Sequence, residues 1–291
     1  MLDILLGFPK MLWSVLVLIG TLVTIFLDAG EVTSSSEVEL VNEKCVVLEK
    51  ALISGQGLTT DGEYFYTSGS LTGIKTSGLA KWDKDGFVVL ADYTAMPKDY
   101  RENLNLNHLG GMSYYDGKLY IAVEDSEDKN PYLMTFSAET LEFLEAYEMP
   151  QELLEGSFPW CAVDAENGYI YCSQFDDVNE IFVFDLETIE YSHSIKLSEQ
   201  ITRIQGGEVY NGLLYLSYDA EDGNTDYIQT VDIKTGEVKT LCERNIPAKC
   251  GNEAEGLTVY PMEDGSLIHV LDYDKAIGVY TRSYTLSEIK N

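Results

Sequence analysis

The sequence has few basic residues: 19 lysines and arginines stand against 49 aspartates and glutamates in 291 residues, a formal net charge of −30. Contacts with nucleic-acid phosphates need cationic side chains, so this acidic composition argues against nucleic acid as a partner. An anionic membrane surface is disfavoured for the same reason. Hydrophobic residues still make up 45% of the chain, which excludes a disordered protein and suffices for a folded core.

Sequence motifs for common chemistries are also absent. There is no G-x-S-x-G, no H-E-x-x-H, no phosphate-binding glycine loop and no C-x-x-C pair. The acidic stretch Asp219–Asp226 lacks the glutamate at position twelve that an EF-hand requires. Only seven prolines accompany 24 glycines and 20 tyrosines, a composition typical of strands joined by tight turns.

One long apolar run is present, at the N-terminus. Met11–Leu27 carries no charged residue over 17 positions, and at 1.5 Å per residue a helix of this length spans about 25 Å, close to the bilayer core. We interpret residues 1–29 as an uncleaved membrane anchor or a cleaved signal segment, with a buried helix as a third alternative. Residues 30–40 are polar and predict a linker before a domain at 41–291. The expected location is membrane-anchored with an extracytoplasmic domain, or secreted.

The remainder of the chain is repetitive. An apolar step, a turn and a tyrosine-rich strand recur five times, with equivalent positions at steps of 54, 51, 44 and 54 residues: Tyr66, Tyr120, Tyr171, Tyr215 and His269. A second hairpin follows each unit, marked by Trp82, Phe136, Phe184 and Val231, and Tyr280 is the expected fifth marker. Each period of about 50 residues therefore contains about four strands.

Five repeats of four antiparallel strands predict an all-β fold, a five-bladed β-propeller, with a six-bladed propeller as an alternative. A β-sandwich with irregular hairpins is the alternative. We expect the last repeat to lack a full outer strand, and Lys44–Ile53 is predicted to form a strand without a repeat of its own. We therefore predict that Lys44–Ile53 pairs with the strand around Ile277–Tyr280 and closes the ring.

The five cysteines leave the redox state open. A turn between Glu166 and Asn167 places Cys161 opposite Cys172, and Cys242 with Cys250 brackets a short loop. Either pair could form a disulfide in an exported protein, Cys242–Cys250 being favoured. The alternative is five reduced cysteines, partly buried as small apolar side chains.

The residues just before each repeat form the candidate site. In a propeller the inner strands line a central channel, and the loops leading into them form one mouth. Six side chains occupy these positions: Gln56, His108, Trp160, Gln205, Glu253 and Glu255. This polar, aromatic set favours a neutral or cationic small molecule, a sugar or a calcium ion over a phosphate.

Two of these residues are candidates for catalysis. His108 is the only one of three histidines at a repeat entrance, and Glu255 is placed to hold a metal ion or act as a general base. Each also has a structural interpretation: His108 as a brace for loop backbones, and Glu255 as an acceptor for channel amides. Trp160 either stacks on a sugar or fills the channel.

The sequence Glu-Gly-Leu-Thr-Val at 255–259 and the Gly-Gly entrances at 110–111 and 206–207 resemble those of several propeller families. These are the gluconolactonase/strictosidine-synthase-like, glutamine-cyclotransferase-like and esterase-like-phytase propellers. The resemblance covers residues 45–285 and implies a propeller fold. Members of the first family hold calcium in the channel with a Glu, Asn and Asp set, of which only Glu255 has a match here.

These observations lead to three hypotheses about function. The first is a membrane-anchored or secreted propeller that binds a small molecule, a sugar or a protein partner at its channel mouth without catalysis. The second is a calcium-dependent hydrolase or lyase that uses Glu255 with His108 nearby. The third is an interaction platform in an envelope complex.

Overall fold

A computed structural model of the protein describes residues 33–36, 38–47, 53–71, 76–125, 129–155, 157–220, 225–245, 252–274 and 278–286. Its strands form five separate antiparallel sheets. Three sheets have four strands from one chain segment, one has four strands and an added N-terminal strand, and the last has three strands completed by a second N-terminal strand. The inner strands of the sheets lie against one another around a common centre. The fold is a five-bladed β-propeller, as the repeats predict.

Two N-terminal strands precede the first blade, β1 (Thr33–Ser36) and β2 (Val38–Val47). Blade 1 contains β3 (Leu58–Thr60), β4 (Phe65–Leu71), β5 (Thr76–Trp82) and β6 (Val88–Asp92). Blade 2 contains β7 (Leu106–Tyr115), β8 (Lys118–Asp125), β9 (Tyr132–Ser137) and β10 (Phe143–Glu148). Blade 3 contains β11 (Cys161–Asp164), β12 (Tyr169–Cys172), β13 (Val178–Asp185) and β14 (Tyr191–Ile201).

Blade 4 contains β15 (Ile204–Tyr210), β16 (Leu213–Asp219), β17 (Thr225–Asp232) and β18 (Val238–Asn245), with β1 added at its outer edge. Blade 5 contains β19 (Asn252–Val259), β20 (Ile268–Asp274) and β21 (Gly278–Leu286), with β2 as its fourth strand. Two short helices, α1 (Lys98–Asn103) and α2 (Gln151–Leu154), lie in the connections that lead to blades 2 and 3.

Strand pairing confirms most of the repeat alignment. The five markers from Tyr66 to His269 all lie on the second strand of a blade and pair with equivalent inner-strand residues: Thr59, Ser113, Ala162, Glu208 and Thr258. The second set lies on the third strands. Its fifth member is Tyr284 and not Tyr280, because Tyr284 pairs with Ile268 just as Val231 pairs with Leu214.

The ring is closed by N-terminal sequence, as predicted. In blade 5, β2 pairs antiparallel with β21, with Cys45 opposite Tyr280 and Val47 opposite Gly278. The pairing extends further toward the N-terminus than expected, because it begins with Val38 opposite Leu286. The linker predicted at 30–40 is therefore corrected: residues 33–36 pair with β18, and residues 38–40 belong to β2.

The core consists of apolar clusters between neighbouring blades. Alternate residues of each strand face the adjacent blade, so both faces of a blade must be apolar. Phe136, Phe184 and Tyr284 are among the largest fully buried side chains, which explains the aromatic markers of the repeats.

The cysteines follow the register prediction without forming a bridge. Cys161 lies directly opposite Cys172, and both are fully buried thiols. Cys242 is a buried thiol as well, while Cys250 lies outside the described residues. Burial raises the pKa of Cys172 well above its ordinary value, since an apolar environment disfavours the thiolate.

The N-terminal apolar run, Met11–Leu27, lies outside the described residues. Within the described ranges no helix combines the length and the hydrophobicity needed to cross a membrane. The anchor and signal interpretations therefore stay predictions.

Candidate functional site

The channel mouth is built by the segments that enter the inner strands and by the ends of the second strands. Antiparallel hairpins bring these two parts of each blade to the same edge. Gly256 N donates to Gln56 O at 2.7 Å, and Gly111 N donates to Pro159 O at 2.8 Å, so backbone hydrogen bonds connect the entrances of different blades. The mouth is therefore a rigid frame for the side chains that it carries.

Four side chains from three blades form one connected network across this mouth. The Gln56 amide Nε2 donates to Glu255 Oε1 at 3.0 Å, and Gln56 Oε1 accepts from His108 Nε2. His108 Nδ1 lies 3.4 Å from Glu124 Oε2. The other oxygen of Glu124 accepts from the backbone N–H of Phe158. The structure thus brings Gln56, His108 and Glu255 together, as the sequence predicts, and adds Glu124.

The network fixes where its protons lie. A carboxylate only accepts, so the amide group of Gln56 must face Glu255, and its carbonyl oxygen must face His108. His108 Nε2 therefore carries a hydrogen. Its Nδ1 faces the Glu124 carboxylate at 3.4 Å, so the imidazole is held between Gln56 and Glu124.

A second polar cluster lies at the entrance of blade 4. Arg203 binds Asp219 through two hydrogen bonds, Nε to Oδ1 at 3.1 Å and a terminal nitrogen to Oδ2 at 2.9 Å. The same nitrogen lies 3.5 Å from Glu253 Oε1, and the guanidinium carbon lies 4.9 Å from the centre of the Phe175 ring. Burial raises the pKa of Asp219, although Arg203 opposes this shift. Glu253 thus belongs to this cluster.

Gln205 contributes an unsatisfied donor. Its side chain is buried, with 8% of the residue exposed, and its Nε2 has no hydrogen-bond partner among the described residues. Its backbone lies close to blade 2, since a Cβ added at Gly111 would come within 2.7 Å of Gln205 O. A buried amide without an acceptor is costly, which is typical of a position where a bound molecule or water supplies the acceptor.

Trp160 fills space and offers no surface to a ligand. It is fully buried, and its Nε1 donates to Ser173 Oγ at 3.0 Å. A Cβ at Gly111 would lie 2.8 Å from Trp160 Cβ, and one at Gly207 would lie 2.7 Å from its ring. The two glycines are therefore needed because the indole packs directly against both neighbouring inner strands. The sugar-stacking interpretation of Trp160 is corrected in favour of the filling role.

Sequence reasoning missed the residues at the ends of the second strands. Counting four residues beyond each repeat marker gives Ser70, Glu124, Phe175, Asp219 and Tyr273. Three of these contact the next entrance: Leu109 N donates to Ser70 Oγ, Phe158 N to Glu124, and Arg203 N to Phe175 O. The repeat alignment contained the signal for these residues. The second strand of a blade runs antiparallel to the inner strand, so its last residues lie at the same edge of the sheet as the entrance.

One further carboxyl group lies inside the channel. Ser113 Oγ is 3.4 Å from Glu208 Oε1, and Thr258 Oγ1 is 3.3 Å from Oε2, so Glu208 contacts hydroxyls of blades 2 and 5 from its place on blade 4. Thr59 of blade 1 adds a third side-chain hydrogen bond. Burial raises the pKa of Glu208 to about 8, and these hydrogen bonds oppose the shift.

The described side chains do not fit the calcium set of the gluconolactonase-like propellers. Glu255 Oε1 already accepts the Gln56 amide, and no group of three or more His, Cys, Asp or Glu side chains within the described ranges is arranged to hold a metal. Calcium prefers six to eight oxygen ligands. Calcium at Glu255 stays a prediction that derives from the resemblance alone.

The chain was compared with known families, curated proteins and solved structures. No family model matches the sequence, and no curated protein matches it. Among solved structures, the chain is similar to hydrazine synthase of Kuenenia stuttgartiensis, with a TM-score of 0.41 and 14% identity. The alignment covers 74% of this chain and 55% of that one, so the chain spans about half of that structure's length. The strand order described above identifies this chain as a five-bladed β-propeller.

Proposed function

We propose that this propeller is a binding protein that takes a small cationic molecule, an amine that also carries oxygen acceptors, at its channel mouth. The observation that carries the proposal is the network of Glu255, Gln56, His108 and Glu124, which joins three blades and holds two carboxylates in fixed positions. Side chains held in this way are preorganised for a polar ligand, because little conformational entropy remains to be lost on binding.

The charge of the mouth supports a cationic ligand. Its two clusters contain four carboxyl side chains, those of Glu124, Asp219, Glu253 and Glu255, whereas Arg203, which contacts Asp219 and Glu253, is the arginine among them. The molecule as a whole carries a formal charge of −30, which attracts cations over a longer range. An anionic ligand would have to overcome both effects.

The neutral part of the ligand is indicated by Gln205. Its Nε2 needs an acceptor, and a hydroxyl or carbonyl oxygen next to the amine would supply one. His108 is engaged by Gln56 and Glu124, and no serine or cysteine nucleophile contacts it among the described residues. This arrangement favours binding over covalent catalysis, since an activated nucleophile needs a base within hydrogen-bond reach.

The experiment uses three sugars that share a ring and differ in charge: glucosamine, glucose and glucuronate. Titration calorimetry at low salt is expected to rank their affinities in that order. Glu255→Gln should weaken glucosamine at least tenfold and leave glucose nearly unchanged, and added salt should reduce the difference between them. Glu190→Gln, an exposed position on the loop after β13, is the matched control. Equal affinities for all three, or binding of none, would contradict the proposal.

An extracytoplasmic position is part of the same proposal. Its support is the uncharged run Met11–Leu27 ahead of the propeller. Protease treatment of intact cells, with lysed cells as the control, tests it: an extracytoplasmic domain is cleaved in both, and a cytoplasmic one only after lysis.

A further inference from the structure

The interface between blades 5 and 1, where the ring is closed, is packed differently from the others. Among the described residues, the apolar cluster between blades 1 and 2 has 14 buried members, and the next three interfaces have 12, 12 and 10. The seam between blades 5 and 1 instead has two clusters of three that share the partly buried Phe65: Leu58, Leu271 and Val279, and Ile53, Ala80 and Trp82. Because propeller blades are held mainly by the faces they bury, this difference calls for a physical explanation.

A cavity occupies the space that side chains fill elsewhere. Its volume is about 710 Å³, and it reaches from the apolar side chains of blades 1 and 5 to β2 and the turn after Trp82. We call it the seam cavity. Protein interiors rarely contain voids larger than a water molecule, and binding sites for small molecules measure about 300–1,000 Å³. The seam cavity has the size of a ligand site.

The inner wall of the seam cavity is apolar and aromatic. Leu58, Leu271 and Val279 line it together with Phe65 and Trp82. The Phe65 ring lies 5.4 Å from the His269 ring in an edge-to-face arrangement. The Trp82 Nε1 donates to Thr67 Oγ1 at 2.7 Å, so the indole presents its apolar surface without an unsatisfied N–H. Such a wall favours a flat apolar ring system.

One of the polar side chains that line the cavity, Ser283, offers an acceptor. His269 Nε2 lies 2.9 Å from the Tyr260 backbone oxygen and must donate to it, so Nδ1 of the neutral ring is a lone pair. Ser283 Oγ lies 2.9 Å from that Nδ1 and therefore donates its hydrogen to it. The Ser283 oxygen keeps its lone pairs, and both residues line the cavity. A ligand that reaches Ser283 must bring a hydrogen-bond donor.

Charged groups lie at the outer end of the seam cavity and include both signs. Lys44 Nζ donates to the Lys84 backbone oxygen at 3.3 Å, and both lysines are exposed lining residues. Asp85 and Asp264 lie on the same lining, and Asp264 accepts from Ser266 at 2.6 Å. The two lysines and the two aspartates balance in number, so the entrance favours neither cations nor anions. The inner wall itself is lined by apolar and aromatic side chains.

We propose that the seam cavity is a second ligand site, separate from the channel mouth, and that it binds an uncharged aromatic molecule with a hydroxyl group. The ring lies against Phe65 and Trp82, and the hydroxyl donates to Ser283 Oγ. The ligand then supplies the packing that the interface between blades 5 and 1 lacks.

The test uses 2-naphthol as the probe and 2-methoxynaphthalene, which has no donor, as its matched partner. Binding to the full chain is followed by quenching of tryptophan fluorescence, and Trp82→Phe identifies Trp82 as the reporter. Saturable quenching by 2-naphthol is expected, with at least tenfold weaker binding of 2-methoxynaphthalene. Ser283→Ala should remove this preference and leave the methoxy compound unchanged.

A second variant separates binding from stability. Val279→Phe adds volume inside the cavity, so it should raise the melting temperature of the unliganded protein while abolishing quenching. Glu190→Gln, at an exposed position on the loop after β13, should alter neither result. Equal binding of the two naphthalenes, no saturable binding of 2-naphthol, or unchanged binding in Val279→Phe would overturn the proposal. So would sedimentation showing that a second copy of the chain covers the entrance.

Discussion

The Gln56 amide donates to the Glu255 carboxylate at 3.0 Å, although 199 residues separate them in sequence. One lies at the entrance of blade 1 and the other on the inner strand of blade 5, so the contact crosses the closed seam of the ring. The mouth network therefore exists only in a completed propeller. The hydrogen bond between Gln56 and Glu255 can form only when blades 5 and 1 are joined, so its loss would indicate that the ring has opened.

Gln56→Leu should destabilise the protein by about 1–3 kcal/mol, because it leaves His108 Nε2–H without its acceptor and removes a donor from Glu255. Urea unfolding measures the effect, with the exposed Gln151→Leu as the control. In a double-mutant cycle with Glu255→Gln, a coupling energy of about 0.5–3 kcal/mol is expected. Fully additive effects would show that the two side chains do not act together.

Glu208 predicts a dependence of stability on pH. Its pKa is raised by burial from 4.5 to about 8, so the folded state binds the proton more tightly than the unfolded state does. The free energy of unfolding therefore falls as pH rises from about 4.5 to about 8 and levels off above it. Glu208→Gln should flatten this slope and stabilise the protein at pH 8.5 by about 1–3 kcal/mol.

The measurement is urea unfolding at several pH values between 4.5 and 8.5. Asp226 and Asp219 also have pKa values raised by burial and contribute slopes of the same sign, so the difference between wild type and variant is the relevant quantity. An unchanged slope in Glu208→Gln would place the proton on another group.

Asp272 compensates two buried arginines. Arg244 binds both of its oxygens, at 2.9 and 3.0 Å, and Arg282 also donates to it. Burial opposes ionisation of Asp272, but the two arginines outweigh burial and hold its pKa below the ordinary value. Asp272→Asn should cost about 3–5 kcal/mol, because it leaves two buried cations undercompensated. The exposed Asp99→Asn on α1 is the control, and a loss below 1 kcal/mol would contradict this account.

Closure of the ring predicts the effect of truncation. A chain that starts at Gly55 lacks all of β2, whereas one that starts at Leu40 loses β1 and the first two residues of β2, including the buried Val38. The Gly55 start should lower the melting temperature far more, since it removes a whole strand and exposes β21 as an open edge. The Leu40 start should show a smaller but measurable loss. Equal melting temperatures would refute the role of β2.

Calcium provides a test of the family resemblance. The hydrogen bond from Gln56 to Glu255 leads us to expect no rise in melting temperature with calcium, and no difference between wild type and Glu255→Gln in its presence. Thermal unfolding with calcium and with a chelator measures this. Stabilisation by calcium that disappears in Glu255→Gln would instead establish the metal site.

The sequence determined the blades, because their information is local. Hairpin turns and alternating strand residues act over a few positions. The repeats of Tyr66 and its equivalents therefore located the second strand of each blade, and the turn near Glu166 placed Cys161 opposite Cys172. The missing outer strand of the last repeat also identified β2 as the closing strand. The start of β2 was misplaced, because polar residues such as Glu39 suit a linker and an exposed strand equally well.

The tertiary structure decided which side chains meet across blades. Repeat spacing put Gln56, His108 and Glu255 at one mouth, but their hydrogen bonds depend on the rotation of each blade about the axis. Trp160 had the same position in its repeat, yet it turns into the core because Gly111 and Gly207 leave room for it there. The seam cavity had no sequence signal at all. It results from the volumes of side chains on blades 5 and 1, which are far apart in sequence and meet only when the ring closes.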